Sequence, residues 1–121
     1  MLDHTAGTFQ KVAAISSGLP GVMGLEFDRD SGALWAACDN TCAGQMNVLR
    51  IDSSPSSSTR GRFQVVTALQ RPIGMPNINN EGLAFAPESE CVAGLKRIFW
   101  TDDGNTSGHS VRGGLMPCGK L

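Results

Sequence analysis

The chain has 121 residues and a formal net charge of −1 at pH 7, so it is long enough for one domain with a hydrophobic core. A near-neutral chain without a basic stripe is not typical of nucleic-acid-binding proteins, and we predict no nucleic-acid partner. No apolar run is long enough to cross a bilayer, so we predict no membrane span.

The composition, with 15 Gly and 6 Pro, and the many short apolar runs favour an all-β fold. Residues 9–15 form a candidate strand, which we assign as the outer strand of a preceding unit. Four further runs rich in β-forming side chains predict one antiparallel sheet: residues 22–28, 33–38, 46–51 and 62–67. The Ser-rich segment 52–61 contains no feature expected to order it, so we predict a mobile loop there.

The second half of the chain predicts a second, incomplete sheet. Residues 82–86 and 97–101 are its first two strands. A third strand could begin at Ser110, although two glycines and a proline that follow weaken this prediction. The second unit therefore covers residues 80–121 and lacks a fourth strand, whereas the first unit covers residues 22–67.

The two halves resemble each other in sequence. The motif Gly-Leu-x-Phe at 24–27 recurs at 82–85, and the apolar–aromatic pair at 34–35 recurs at 98–99. The spacing is 58 residues for the first motif and 64 for the second, so the later copy has a longer turn. Repetition at this period is typical of stacked supersecondary units, here the four-stranded antiparallel blades of a β-propeller.

We therefore predict that residues 1–121 form a single β domain with about two propeller blades. Propellers close with roughly four to eight blades, so this arc is incomplete as a monomer. It is a fragment of a longer chain, an oligomer that closes the ring between copies, or a different small β fold such as a sandwich or barrel. Apolar surface left at each end of the arc would drive self-association, for example as a ring of three two-blade copies, or aggregation.

The four cysteines pair by position in this topology. Cys38 and Cys42 fall at one end of the blades, and Cys91 and Cys118 fall at the other end. We favour the disulfides Cys38–Cys42 and Cys91–Cys118 and an exported parent protein, secreted or extracytoplasmic. Four reduced thiols or a metal site at the first pair are the alternatives, but zinc is disfavoured because the chain has only two histidines.

Acidic and amide side chains cluster at one end of the second hairpin. The start of one antiparallel strand lies beside the end of the next, so Glu81 should neighbour Asp102 and Asp103, with Asn79 and Asn80 on the same rim. Hard oxygen donors of this kind suit Ca²⁺. We predict a calcium site formed by Asn80, Glu81, Asp102 and Asp103. The alternative is that these residues are ordinary turn formers.

His109 lies a few residues beyond this rim. It could act as a general base there, with Glu81 as the second catalytic residue, although a loop histidine is often simply exposed. Neither the Gly-x-Ser-x-Gly motif nor a P-loop is present, so a serine-hydrolase elbow or a nucleotide site has no support.

Three motifs resemble the propeller family called esterase-like activity of phytase: NNEGLA at 79–84, FWTDDGNTSGH at 99–109 and GLMPC at 114–118. The resemblance covers roughly residues 20–119, and the second half carries most of it. It implies a secreted bacterial protein with a phytase-like propeller fold that hydrolyses phosphate or carboxylic esters.

Our leading functional hypothesis is therefore a secreted, calcium-dependent hydrolase of small esters or phosphoesters. The acidic residues would hold an ion that polarises the ester oxygen and activates water, while His109 would move protons. The rival hypothesis is a non-catalytic propeller module that uses the same end of the sheets to bind a partner.

Overall fold

The computed structural model describes residues 14–119, which form an all-β fold of two antiparallel sheets. Sheet 1 contains four strands in sequence order: β1 Gly24–Asp28, β2 Ala33–Ala37, β3 Met46–Ile51 and β4 Phe63–Leu69. Sheet 2 contains three: β5 Asn80–Phe85, β6 Leu95–Asp102 and β7 Val111–Pro117. Three short 3₁₀ helices lie in the connections: Asn40–Cys42, Glu88–Glu90 and Thr106–Gly108.

The all-β prediction is confirmed, and neither sheet closes on itself within the described residues. The assignment of the two sheets as propeller blades stays a prediction. Residues 9–13 of the predicted outer strand lie outside the described residues, and residues 14 and 15 are not in a strand. No helix among residues 14–119 is long and apolar enough to cross a membrane.

Strand β7 forms in spite of its two glycines, and one of them, Gly114, makes room for an aromatic ring. A Cβ on Gly114 would lie 3.0 Å from the ring of Trp100, and one on Gly113 would lie 3.5 Å from the ring of Phe99. Both aromatic residues belong to β6, the neighbouring strand. The 3.0 Å separation is too tight for a Cβ, whereas 3.5 Å is an ordinary contact, so it is Gly114 that lets β7 pair beside Trp100.

The Ser-rich loop between β3 and β4 is organised by one carboxylate, contrary to the expectation that nothing orders it. Asp52 accepts hydrogen bonds from the Ser54 N–H at 2.9 Å, the Thr59 hydroxyl at 2.6 Å and the Ser57 hydroxyl. Its own N–H donates to the Arg62 carbonyl at 2.8 Å. Serine and threonine, which lower hydrophobicity in the sequence, here supply the donors that close the loop.

The hydrophobic core lies between the two sheets. Because side chains alternate along a strand, one face of each sheet supplies it; its buried members are Ala33, Trp35, Ala37, Met46, Val48, Ile78, Leu83, Ile98, Trp100 and Met116. The Trp35 ring packs edge-on against Phe85 with 4.9 Å between centroids, and the Trp100 Nε1–H donates to the Met46 sulfur at 3.4 Å. Aromatic side chains thus join the sheets from both sides.

The two sheets approach most closely where β1 runs beside β5. A Cβ on Gly24 would lie 3.4 Å from the Gly82 carbonyl carbon and the Leu83 nitrogen. A larger residue at position 24 would therefore press against the β5 backbone. Farther along, the end of β1 meets the start of β6, so β1 and β5 run in the same direction.

A buried lysine links the sheets at this lower end. Lys96 of β6 has no exposed side-chain surface, and its Nζ lies 3.3 Å from Asp28 Oδ2 and 3.0 Å from Glu88 Oε2. Asp28, at the end of β1, also accepts a 2.6 Å hydrogen bond from the Ser31 hydroxyl. We call Asp28, Glu88 and Lys96 the Lys96 clamp. The sequence pattern did not indicate this clamp, because Lys96 lies in residues 87–96, the predicted turn between strands 82–86 and 97–101.

The charges of the clamp support each other. Burial disfavours the charged form of Asp28, but the Ser31 hydrogen bond and the Lys96 charge together hold the pKa of that carboxyl below its ordinary value. Burial likewise opposes the charge on Lys96, but its contacts with Glu88 and Asp28 hold its pKa above the ordinary value. Both groups are therefore ionised at neutral pH.

Both predicted disulfides are present. Cys38 and Cys42 join the end of β2 to the following loop with 6.1 Å between Cα atoms, and Cys91 and Cys118 join the β5–β6 turn to the end of β7 with 6.2 Å. All four cysteines of the chain are thus bonded. Two disulfides fit an extracellular protein.

We predict that Lys96→Met lowers the free energy of unfolding by about 3–5 kcal/mol, because it leaves the buried Asp28 carboxylate without its cation. Urea unfolding measures the change. The matched control is Arg97→Met, on the exposed side of the same strand, which should change stability by less than about 0.5 kcal/mol. The double variant Asp28→Asn, Lys96→Met should recover part of the loss, since it removes both charges. Equal losses for the Lys96 and Arg97 variants would contradict the clamp.

The depressed pKa of Asp28 predicts a pH dependence. Its contribution to stability is fully present above the ordinary value of 3.8 and is lost as the pH falls through the lower folded-state pKa. The stability difference between the wild type and Asp28→Asn should therefore be largest near neutral pH and shrink below about pH 4. Unfolding curves of both proteins between pH 2 and 7, taken at roughly one-unit steps, measure this difference. A stability difference that stays constant over this range would show that ionisation of Asp28 contributes nothing to the free energy of unfolding.

Candidate functional site

The predicted rim at the start of β5 and the end of β6 is formed as expected from a hairpin. Asn80 pairs with Asp102 across the strands, and a register shift after Asn80 leaves Glu81 as the extra residue of a bulge. The Asp103 N–H donates to the Asn79 carbonyl at 3.0 Å, and the Asn79 side-chain amide lies 3.4 Å from the Asp103 carboxylate. We call these five residues the acidic rim.

The Asp102 carboxylate organises the loop that follows β6. Its Oδ1 accepts the Gly104 N–H at 3.0 Å and its Oδ2 accepts the Thr106 N–H at 3.1 Å, while the Arg112 guanidinium lies 3.6 Å from Oδ2. The Thr106 hydrogen bonds, opposed by burial and helped by Gly104 and Arg112, hold the pKa of Asp102 below its ordinary value. This buried carboxylate is therefore already committed to internal donors.

The other rim residues differ in exposure. Asn80 is buried, and its side-chain oxygen accepts the Gly82 N–H at 3.3 Å, which fixes the bulge. Glu81 and Asp103 are exposed. The rim thus combines buried turn-forming groups with two exposed carboxylates, of which Asp103 accepts from the Asn79 side-chain amide.

The described residues contain two groups of three ligand-type side chains whose atoms lie within 4.8 Å of one another: Cys38, Asp39 and Cys42, and Glu88, Cys91 and Cys118. Each includes both sulfurs of a disulfide, and metals bind the thiolate form of cysteine. The acidic rim is not one of these groups. Its three carboxylates do not converge on one point in this conformation, whereas Ca²⁺ takes six to eight oxygens. The calcium site stays a prediction.

His109 lies at the far end of the same loop, where its side chain is exposed. Its N–H donates to the Thr106 carbonyl at 3.2 Å, and its carbonyl accepts from Arg112 at 3.1 Å. Arg112 also donates to the Thr106 carbonyl at 2.6 Å. Arg112 therefore closes the loop that carries both Asp102 and His109. Sequence reasoning missed this residue, because it lay in the uncertain third strand.

A groove of about 360 Å³ is lined in part by Arg112, whose guanidinium lies 3.6 Å from Asp102 of the acidic rim. Trp100 and the two glycines of β7 line one side, and the connection between the sheets, residues 72–76, lines the other. The groove is therefore a mostly apolar depression with one cationic group at its edge.

The outward faces of the two sheets carry exposed apolar side chains. On β1, Leu25 and Phe27 point away from the core and are 61% and 48% exposed. On sheet 2, Phe99 of β6 and Leu115 of β7 point away from the core and are 37% and 65% exposed. We call these surfaces outer face 1 and outer face 2. Neither face was part of the site prediction; the sequence predicted only that apolar surface would remain at each end of the arc.

No family model, curated protein or solved structure matches this chain. The resemblance to the phytase-like propeller family therefore stays a prediction that rests on the motifs of sheet 2.

We predict that Asp102→Ala speeds hydrogen exchange at the Gly104 and Thr106 amides by roughly tenfold or more, because both donate to its carboxylate. Exchange followed by NMR or mass spectrometry measures the effect. Asp103→Ala, which removes an exposed carboxylate of the same rim, is the matched control and should leave these two amides unchanged. Exchange that is equally fast in both variants would show that Asp102 does not organise the loop.

Proposed function

We propose that this chain is a secreted, propeller-type interaction module whose two outer faces bind neighbouring β-sheets. The observation that supports it is the relation between the inner contact and the outer faces. Phe85 of sheet 2 packs on sheet 1, whereas its counterpart in the repeat, Phe27, lies on outer face 1. Trp35 of sheet 1 packs on sheet 2, whereas its counterpart, Phe99, lies on outer face 2. Among residues 14–119, each sheet thus has one apolar face that packs on the other sheet and one that is left exposed.

Stacked β-units need both faces covered, since each unit buries its apolar residues only against its neighbours. Leu25 and Leu115, each more than half exposed, would be covered in such a stack. Apolar patches that remain exposed on a soluble protein mark interaction sites. The two disulfides favour an extracytoplasmic place for this module, where they persist.

The second candidate is the calcium-dependent hydrolase of small esters or phosphoesters. It is favoured by the hairpin, which brings Asn80 opposite Asp102 and ties Asn79 to Asp103. In this hypothesis the rim carboxylates hold Ca²⁺, and His109 of the same loop moves the proton. Calcium would have to draw Asp102 away from its internal donors, which is why we place this function second.

The interaction module predicts that both outer faces bind an apolar dye. A naphthalene sulfonate dye that fluoresces in apolar surroundings should bind the dilute wild type, and Phe27→Ser and Leu115→Ser should each lower the signal by roughly half, since each removes the centre of one face. Val92→Ser is the matched control, because Val92 is exposed in the β5–β6 turn and bridges to Leu95, at the far end of β6 from Phe99. Equal fluorescence of all four proteins would contradict the proposal.

Turnover assays separate the two candidates. The module predicts no hydrolysis of nitrophenyl esters or nitrophenyl phosphate above the buffer rate, with or without calcium. Hydrolysis by the wild type that disappears when a chelator is added, and that is absent from Asp103→Asn, would instead support the hydrolase.

A further inference from the structure

We infer that the partner of the outer faces is a second copy of this chain, joined head to tail so that Phe27 of one copy packs against Phe99 of the next. This inference rests on the proposed function and names its partner. It follows from treating the contact between sheet 1 and sheet 2 as a template for the contact between copies.

The template is an aromatic pair. Inside the chain, the rings of Trp35 and Phe85 meet edge to face, with 4.9 Å between centroids and 65° between planes, which is a favourable geometry. In the sequence repeat, Phe27 is the counterpart of Phe85 and Phe99 is the counterpart of Trp35. Repeating the inner contact one unit along therefore brings Phe27 and Phe99 of different copies together.

The pleat of the strands supports these counterparts. In sheet 2, Phe85 lies on the face directed at sheet 1, opposite Ile98 of the core. In sheet 1, Phe27 lies on the corresponding face, which is uncovered, opposite Leu34. Each member of the pair is therefore on the side of its sheet where a preceding or following sheet would lie.

The strand crossing can also be repeated. Within the chain, β1 lies close to β5 at Gly24. A Cβ on Gly24 would lie only 3.4 Å from the β5 backbone. Its counterpart Gly82 lies in β5 opposite Thr101, on outer face 2, where a side chain would clash with the Thr101 hydroxyl. A second copy would thus meet a strand that again lacks a side chain at the crossing point.

The polar part of the inner contact is not repeated. By the same correspondence, the counterpart of Lys96 is Gly32 and that of Asp28 is Ala86, so no ion pair would form between copies at the lower end. The contact between copies then lacks the buried ion pair of the inner contact. We expect it to be weaker than the inner contact and to depend on protein concentration.

Because outer face 1 meets outer face 2, the contact is heterologous and adds copies in one direction. Such a series ends only when it closes into a ring. Two sheets per copy and the four to eight sheets of a closed propeller correspond to roughly two to four copies.

The test uses two variants that each block one face, Phe27→Arg and Phe99→Arg. Gel filtration with light scattering measures mass over a range of concentrations. The mass of the wild type should rise with concentration from that of one chain to that of a closed oligomer. Each variant alone should keep the mass of a single chain. An equimolar mixture should form a dimer with the mass of two chains and nothing larger, because the pair retains one intact contact. Formation of this dimer also shows that both variants are folded.

Leu25→Arg and Leu115→Arg provide a second blocking pair on the same two faces, and Val92→Arg should assemble like the wild type. A blocking variant that assembles alone like the wild type would overturn the inference, as would two blocking pairs that both fail to form the mixed dimer. A wild type that stays monomeric but binds the apolar dye at both faces would overturn the second copy as partner and leave the interaction module standing. A monomer that binds no dye would overturn both.

Discussion

The packing of sheet 1 against sheet 2 along β1 and β5 is the contact on which the rest of the structure depends. Aromatic side chains fill the space between the sheets, and the Lys96 clamp ties the end of β1 to the start of β6. Since a sheet with one apolar face must bury that face against another element, each sheet is stabilised because the other covers one of its faces.

This packing buries one face of each sheet. The outer faces and the ends of the sheets are therefore the surfaces that remain available for function. At the upper end, the hairpin of β5 and β6 brings the residues of the acidic rim together. Both carboxylate oxygens of Asp102, however, accept hydrogen bonds from the loop that follows β6. A carboxylate that accepts several N–H groups is a good turn former and, in this conformation, a poor ligand. The apolar outer faces lie away from the contact between the sheets and stay exposed, and this is why we place the interaction module ahead of the hydrolase.

The repeat explains why the outer faces are apolar at all. The side of β1 that faces sheet 2 carries Gly24, Glu26 and Asp28, whereas Leu25 and Phe27 lie on the side that no described residue of sheet 2 covers. The same residues in β5, Leu83 and Phe85, lie against sheet 1. The sequence of β1 is thus suited to a neighbour on its outer side.

The sequence by itself determined the all-β class, six strands to within about two residues, the two disulfides and the shared rim, because these depend on alternation, turn residues and hairpin geometry, which are local. Tertiary structure decided the rest. Lys96 is a clamp only because β1 brings Asp28 to it from 68 residues away. Gly114 of β7 has a structural reason only because the Trp100 ring occupies the space beside it. Whether Asp102 binds an ion or a loop depended on the placement of Arg112 and Thr106, which no local pattern specifies.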